Sequence, residues 1–474
     1  MMGIQPLVLW TDLLLFGLLG CMALAAWSAR GSEPMRAAWR RVGESGVGMT
    51  ALSLLMLFLT VGVLDSLHYR ERLAPTAGGP AAADARAQLS TEVRSALDAL
   101  AAPLRTRVEK TYSAPLAYQL FSRQTVEGPD GIQRREFPRL KFGGASVKYP
   151  EEDLSGDIVG RIGMGLAMAA VTWAVFAAVL VKGVAVSRRV PVGAAWRAIW
   201  RGKGGLAWRA VLATLGVMCL LIGPLAALAT EYHVFGTDKV GQDVLFLTLK
   251  SIRTALVIGT LTTLVTLPLA VVLGILAGYV GGWVDDAIQY IYTVLNSIPS
   301  VLLIAAAVLM MQVVIDTHPQ WFETAAERAD ARLLALCVIL GMTSWTSLCR
   351  LLRGETLKLR ELEYVQAARA FGVSTTRILA RHVLPNLMHL VLIALVMDFS
   401  GLVLAEAVLS YVGIGVDPGT VSFGTMINAA RMELAREPMV WWSLVAAFIF
   451  MFVLVLAANL FADVVRDAFD PRAS

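Results

Sequence analysis

The hydrocarbon layer of a bilayer is about 30 Å thick and an α-helix rises about 1.5 Å per residue, so an apolar stretch of about 20 residues is suited to crossing a membrane. Nine stretches of that order run through this sequence: residues 7–27, 49–64, 162–181, 211–228, 255–279, 287–314, 333–352, 387–409 and 440–460. The composition agrees, since 57% of residues are hydrophobic and only 16% charged, against about 25% charged in ordinary soluble domains. The fold class expected is an all-α polytopic membrane protein with about nine transmembrane helices.

The net charge of +5 says less than where the charges lie, and nucleic acid is not an expected partner. Arg30, Arg36, Arg40 and Arg41 follow the first stretch, and Arg188, Arg189, Arg197, Arg201, Lys203 and Arg209 separate the third from the fourth without an acid among them. Under the positive-inside rule both loops are cytoplasmic. The loop after the seventh stretch, with Arg350, Arg353, Lys358, Arg360, Arg369, Arg377 and Arg381, falls on the same side, whereas the loops carrying Glu231, Asp238 and Asp243, and then Asp316, Glu323, Glu327 and Asp330, face outward. One orientation satisfies every short loop: N-terminus outside, C-terminus cytoplasmic. The first stretch lacks a basic n-region and a small-residue cleavage site, so it reads as a retained helix. Cys21, Cys219, Cys337 and Cys349 show no C-x-x-C spacing and read as small packing residues, with no metal site.

The expected organisation is an N-terminal transmembrane hairpin (1–66), a periplasmic insertion (67–159), a third span with a basic cytoplasmic linker (160–208), and a transmembrane domain (209–474) with a structured loop at 353–386. Within the insertion, Leu89, Val93, Leu97, Leu100, Leu104 and Val108 recur at three and four, which predicts an amphipathic helix. An Ala-, Pro- and Gly-rich linker at 74–85 precedes it, and Gly128-Pro129-Asp130-Gly131 reads as the turn of a hairpin. No internal repeat relates the early spans to the later six, against the expectation for an inverted-repeat transporter.

The loop 355–385, ETLKLRELEYVQAARAFGVSTTRILARHVLP, carries the most information. Strong helix formers up to Phe371 place Leu357, Leu362, Val365, Ala368 and Phe371 near one face. Gly372 supplies a C-cap, Ser374 caps a second short helix, and Pro385 ends it. Such a helix, held away from the bilayer, suits a groove on another protein. The run Gln366, Ala367, Ala368, Gly372, then His382, Leu384 and Pro385, resembles the EAA loop of bacterial ABC importer permeases, with Gln366 where that motif has Glu. Two further segments resemble the dipeptide, oligopeptide and nickel branch of that family. Gly236, Thr237, Asp238, Gly241 and Asp243, leading to Arg253, match G-T-D-x-x-G-R-D with Gln242 in place of Arg; 406–415, 423–426 and 463–472 match the family's ending. Together these cover most of 209–472.

The resemblance implies a six-helix type I permease core and a coupling loop acting through Tyr364, Gln366, Ala367, Ala368, Gly372, Arg377, Arg381, His382 and Pro385. It also implies a homologous permease subunit, two ABC ATPase subunits, a periplasmic solute-binding protein and the inner-membrane lipid bilayer as partners. No G-x-x-x-x-G-K-[ST] occurs in the sequence, so the chain is expected to bind no cofactor, with ATP and Mg2+ held on partner subunits. No nucleophile or metal constellation points to an enzyme.

Ionisable groups inside spans are costly and mark functional positions. Asp398 and Glu406 fall on nearly one face of the eighth span, and Asp398 either lines a translocation path or partners a polar group on a neighbouring helix. Glu406 is expected to snorkel near the outer end. Asn296 and Pro299 interrupt the sixth span and Pro268 the fifth, as packing features or hinges. The rival from another class is a self-contained secondary transporter or channel driven through Asp398 and Glu406.

Overall fold

The computed structural model describes residues 4–29, 31, 33–72, 89–127, 133–202 and 205–469. The linker at 74–85, the 128–131 turn, Arg30, Lys203 and the end of the 463–472 segment lie outside them. Eighteen α-helices follow in order: α1 (Trp10–Ala29), α2 (Glu33–Glu44), α3 (Gly46–Ser66), α4 (Ala96–Leu100), α5 (Ala102–Thr106), α6 (Pro150–Arg188), α7 (Val192–Trp200), α8 (Trp208–Ala229), α9 (Val244–Val280), α10 (Gly282–Ser297), α11 (Ser300–Thr317), α12 (Ala325–Ser344), α13 (Thr346–Arg360), α14 (Glu363–Ala370), α15 (Thr375–Ile378), α16 (Leu384–Val412), α17 (Phe423–Glu433) and α18 (Trp442–Phe469). Among the described residues, seven helices are long and apolar enough to cross a membrane, and α12 with α13, bent by 40°, makes an eighth. The apolar part of α1 is the shorter stretch Trp10–Leu24. The fold is that of an all-α polytopic membrane protein.

By contacts the chain forms two units: one of 1–7, 33–253 and 421–464, the other of 8–32, 254–420 and 465–474. In the first unit α6 lies along α8, and the Trp173 indole donates to the Leu212 carbonyl at 2.9 Å. The outward faces of these helices are apolar, with Met168, Val171, Val175 and Val179 exposed on α6, as lipid contact requires.

The extramembrane segment of this unit differs from the helix expected over 89–108. Residues Leu89–Ser95 form a strand, β3, which pairs antiparallel with β2 (His68–Arg72), and β2 pairs with the N-terminal β1 (Ile4–Leu7). Thr91 and Val93 favour a strand locally. At Ser95 a capping box with Asp98 starts α4, and Pro103 sits in the first turn of α5; the three-and-four recurrence of leucines therefore spans three elements rather than one helix. Strands β4 (Gln124–Glu127) and β5 (Gln133–Glu136) pair antiparallel.

In the second unit, Val257, Ile258 and Leu261 of α9 pack with Leu333, Leu336, Cys337 and Leu340 of α12 and with Leu15 of α1. The α1–α12 contact has a polar pin: Asp330, buried, accepts from both the amide and the hydroxyl of Thr11. Helix α9 runs unbroken through Pro268. The sixth apolar stretch does break, at Ile298 and Pro299, between α10 and α11.

Candidate functional site

The first candidate is the 353–386 loop, held within the second unit. Arg353 makes a two-pronged ion pair with Asp285, its Nε 2.6 Å from Oδ1 and its Nη2 2.7 Å from Oδ2, which anchors α13. The helix does not run to Phe371 as the sequence predicts; it ends at Arg360, and a turn at Glu361 and Leu362 starts the separate helix α14. Val365, 2% exposed, is the inward knob of α14, in a cluster with Leu352, Ile378, Val383 and Leu387. Phe371 does not share that face: it is 87% exposed, and Leu362 also faces outward.

Gly372 takes φ +75°. The Gly372 amide donates to the Arg369 carbonyl at 3.0 Å and the Val373 amide to the Ala368 carbonyl at 3.1 Å, the paired bonds of a Schellman C-cap, which needs a left-handed residue at this position. Ser374 stands at the N-cap of α15, but its hydroxyl caps nothing. Pro385 does not end the following helix. A π-helical turn, Leu379–Val383, joins α15 to α16 through the Leu384 amide on the Leu379 carbonyl, and Pro385 sits in the first turn of α16, where a proline is tolerated. The π turn also directs His382 toward Tyr364, ring centroids 6.0 Å apart, and Asn386 donates to the Tyr364 hydroxyl at 2.9 Å. Gln366 donates to the Glu361 carbonyl at 3.2 Å; Ala367, Arg377 and Arg381 are exposed, and Ala368 is half-buried. The loop thus forms a small helical platform, fastened underneath by Val365 and Tyr364, presenting Phe371 and arginines outward.

The second candidate is the 236–243 segment of the first unit. Thr237 is its hub: its hydroxyl donates to the Thr111 carbonyl at 2.9 Å and accepts from the Ser113 amide at 2.6 Å, while its carbonyl accepts from the Trp442 indole at 2.9 Å. Asp238 closes the turn by accepting from the Val240 and Gln242 amides, and Asp243 starts α9 by accepting from the Leu245 amide at 2.8 Å. Gly241 takes φ +78°, and a Cβ there would lie 1.9 Å from the Glu109 carbonyl oxygen, so only glycine fits. Arg253 Nε donates to the Ser66 hydroxyl at 3.3 Å.

Sequence reasoning missed the residues that receive this motif. His233 is buried with its Nδ1 2.7 Å from Asp243 and its Nε2 3.6 Å from Glu109. Burial alone would lower the His233 pKa, but the Asp243 and Glu109 carboxylates on its two nitrogens outweigh it and raise the value to about 9. Burial pushes Glu109 up, yet His233 and the Lys141, Phe142 and Gly143 amides bring it down to about 2. Beside them Lys250 contacts Asp65 at 2.7 Å and Asp98 at 3.1 Å, tying α4 to α9. A histidine three residues ahead of Gly236 was a visible signal; Glu109 and Lys250 carried none.

Comparison with known proteins matches residues 270–474 to the family described as binding-protein-dependent transport system inner membrane component. The oligopeptide transport system permease protein OppC of Mycobacterium tuberculosis is 34% identical over 241 residues, covering 51% of this chain and 76% of that protein. The chain belongs to this family. Among other relatives of the permease, the dipeptide transport system permease protein DppC of Lactococcus lactis is 32% identical over 52% of this chain and 65% of that protein. DppC of Bacillus subtilis is 29% identical over 59% of this chain and 85% of that protein. A solved structure of the MetNI methionine ABC transporter overlays 48% of this chain and 97% of that chain at 16% identity and TM-score 0.36, too distant a likeness to bear on the site.

Within the permease, the intramembrane positions separate. Glu406 does not snorkel: it is 2% exposed, and its Oε1 accepts from the Ser410 hydroxyl at 2.6 Å. Asp398, one of the two acids expected to share a face, is half-buried, and no hydrogen bond or ion pair engages it among the described residues. Asn296 Oδ1 accepts from the Thr346 hydroxyl at 3.1 Å, which pins α10 to the start of α13, and Pro299 is the N-cap residue of α11.

Proposed function

We propose that this permease forms half of the pathway of an ATP-driven importer for peptides, in a bacterial inner membrane, with its N-terminus outside and its C-terminus in the cytoplasm. Its partners in this reading are a homologous permease, two ABC ATPase subunits carrying ATP and Mg2+, and a periplasmic binding protein that delivers the solute. Peptide is the solute because the relatives are oligopeptide and dipeptide permeases.

The observation that carries the reading is the platform at 361–386. A short helix fixed at one end by a glycine cap and underneath by Val365, with a phenylalanine almost fully in solvent, fits a cleft on a partner and transmits that partner's movement to α13 and α16. Closing of the ATPases moves the platform, the core opens outward to accept solute, and hydrolysis resets it; this requires the two ATPase states to grip the platform differently.

Phe371→Ala tests the platform directly. Removing a buried aromatic anchor from an interface costs roughly 2 kcal/mol or more, about thirtyfold in affinity. The expected result is loss of ATPase copurification from a permease that remains folded in the membrane; unchanged copurification contradicts the assignment.

A further inference from the structure

The α6–α8 hairpin does not connect by a plain loop. Helix α6 ends at Arg189, whose φ of +53° turns the chain; Pro191 then starts α7, and α8 begins at Trp208. Ala195 and Ile199 bury α7 against Val181, Val184 and Ala185 of α6 and Leu212 of α8. This packing holds α7 at the level where the apolar part of two membrane spans gives way to charge. The face that adjoins this buried one is apolar as well, an unusual choice for a helix in open water. Val192, Trp196 and Trp200, at i, i+4 and i+8, form one exposed stripe, the two tryptophans 38% and 49% exposed. Arg197 and Arg201 flank the stripe, Arg189 lies at its start, and all three are exposed. From Arg188 to Arg209 the sequence has no acid.

Tryptophans placed at the end of a span seat among lipid headgroups, where one edge of the ring is apolar and the N–H is wet. A basic helix with an apolar stripe lies in the plane of that interface and is drawn to anionic lipid. A soluble anion would use the arginines but leave Trp196 and Trp200 without purpose, and an apolar protein groove would leave the acid-free charge without purpose. We propose that α7 and its flanking turns form a binding surface for anionic phospholipid headgroups, with Trp196 and Trp200 seated at headgroup depth and Arg189, Arg197 and Arg201 on the phosphates.

The test uses the full chain, delipidated in detergent and titrated with phosphatidylglycerol or phosphatidylcholine, with retained lipid counted by native mass spectrometry. Each arginine near an anionic surface contributes roughly fivefold, so three give on the order of a hundredfold preference for phosphatidylglycerol. The triple variant Arg189→Gln, Arg197→Gln, Arg201→Gln, with thermal unfolding as in the parent protein, is expected to lose that preference and retain both lipids equally. Inorganic phosphate is expected to leave retention unchanged. A triple variant that keeps the parent preference, or displacement of the lipid by inorganic phosphate, overturns the proposal.

Discussion

Replacing His233 by leucine is expected to release the segment around Glu109 from the rest of the first unit. His233 lies between two carboxylates, and Glu109 and Asp243 are themselves 6% and 1% exposed. Removing the cation leaves two buried carboxylates without their counter-charge, a change that costs about 3–5 kcal/mol where a buried pair is broken. Limited proteolysis should cut between residues 107 and 147 in the variant and leave the parent protein intact there. The same cluster sets a pH dependence. The contribution of His233 is complete below its ordinary 6.5 and is lost as pH rises through about 9. That of Glu109 is complete above its ordinary 4.5 and is lost as pH falls toward about 2. Protection should therefore be greatest between pH 4.5 and 6.5, weaken toward pH 9, and lose this alkaline limb in His233→Leu. Protection that is equal in both proteins across that range would remove the cluster from the account.

Gly372→Val is expected to uncouple the transporter. A Cβ at this position meets nothing within 4 Å, so any effect comes from the backbone and not from a clash. A β-branched residue held at φ +75° is strained, by about 1–2 kcal/mol for the left-handed conformation alone, and relief of that strain requires giving up the Schellman bonds that orient Phe371 and Arg377. In the assembled complex, uptake should fall on the order of tenfold while ATP hydrolysis continues and the chain stays membrane-inserted. Gly372→Asn, which tolerates the left-handed region, should keep most of the uptake. Normal transport in the valine variant would mean that the platform does not couple.

How far the fold can be read from sequence depends on the range of the interactions that decide it. Membrane spans are decided locally, because each must satisfy its own backbone hydrogen bonds in lipid, and eight of the nine apolar stretches meet a helix or bent helix pair long and apolar enough to cross, the first being shorter. The Gly372 turn is local too and was legible. The Leu89–Val108 stretch was misread because β3 forms only by pairing with β2, and helical spacing of leucines does not exclude a strand that ends at a capping serine. Pro385 misled because it stands in the first turn of α16, after a π turn of five residues that no pattern of apolar residues announces. Phe371 was placed on one face with Val365 by periodicity that does not survive the break at Glu361. Glu406 was expected to reach outward, but Ser410, one turn on, gives it a partner inside the helix packing. Glu109 and His233 met only after folding, so neither could be matched to the other beforehand.

The claim on which all of this rests is that the platform at 361–386 is a cytosolic handle for a separate ATPase. A permease whose four cysteines are replaced by alanine, carrying Ala370→Cys at an exposed position of the platform beside Phe371, allows a direct measurement with a membrane-impermeant maleimide. The expected result is no labelling in intact cells, labelling once the membrane is opened, and crosslinking of that cysteine to an ATPase subunit. Labelling of intact cells from the outside would contradict it.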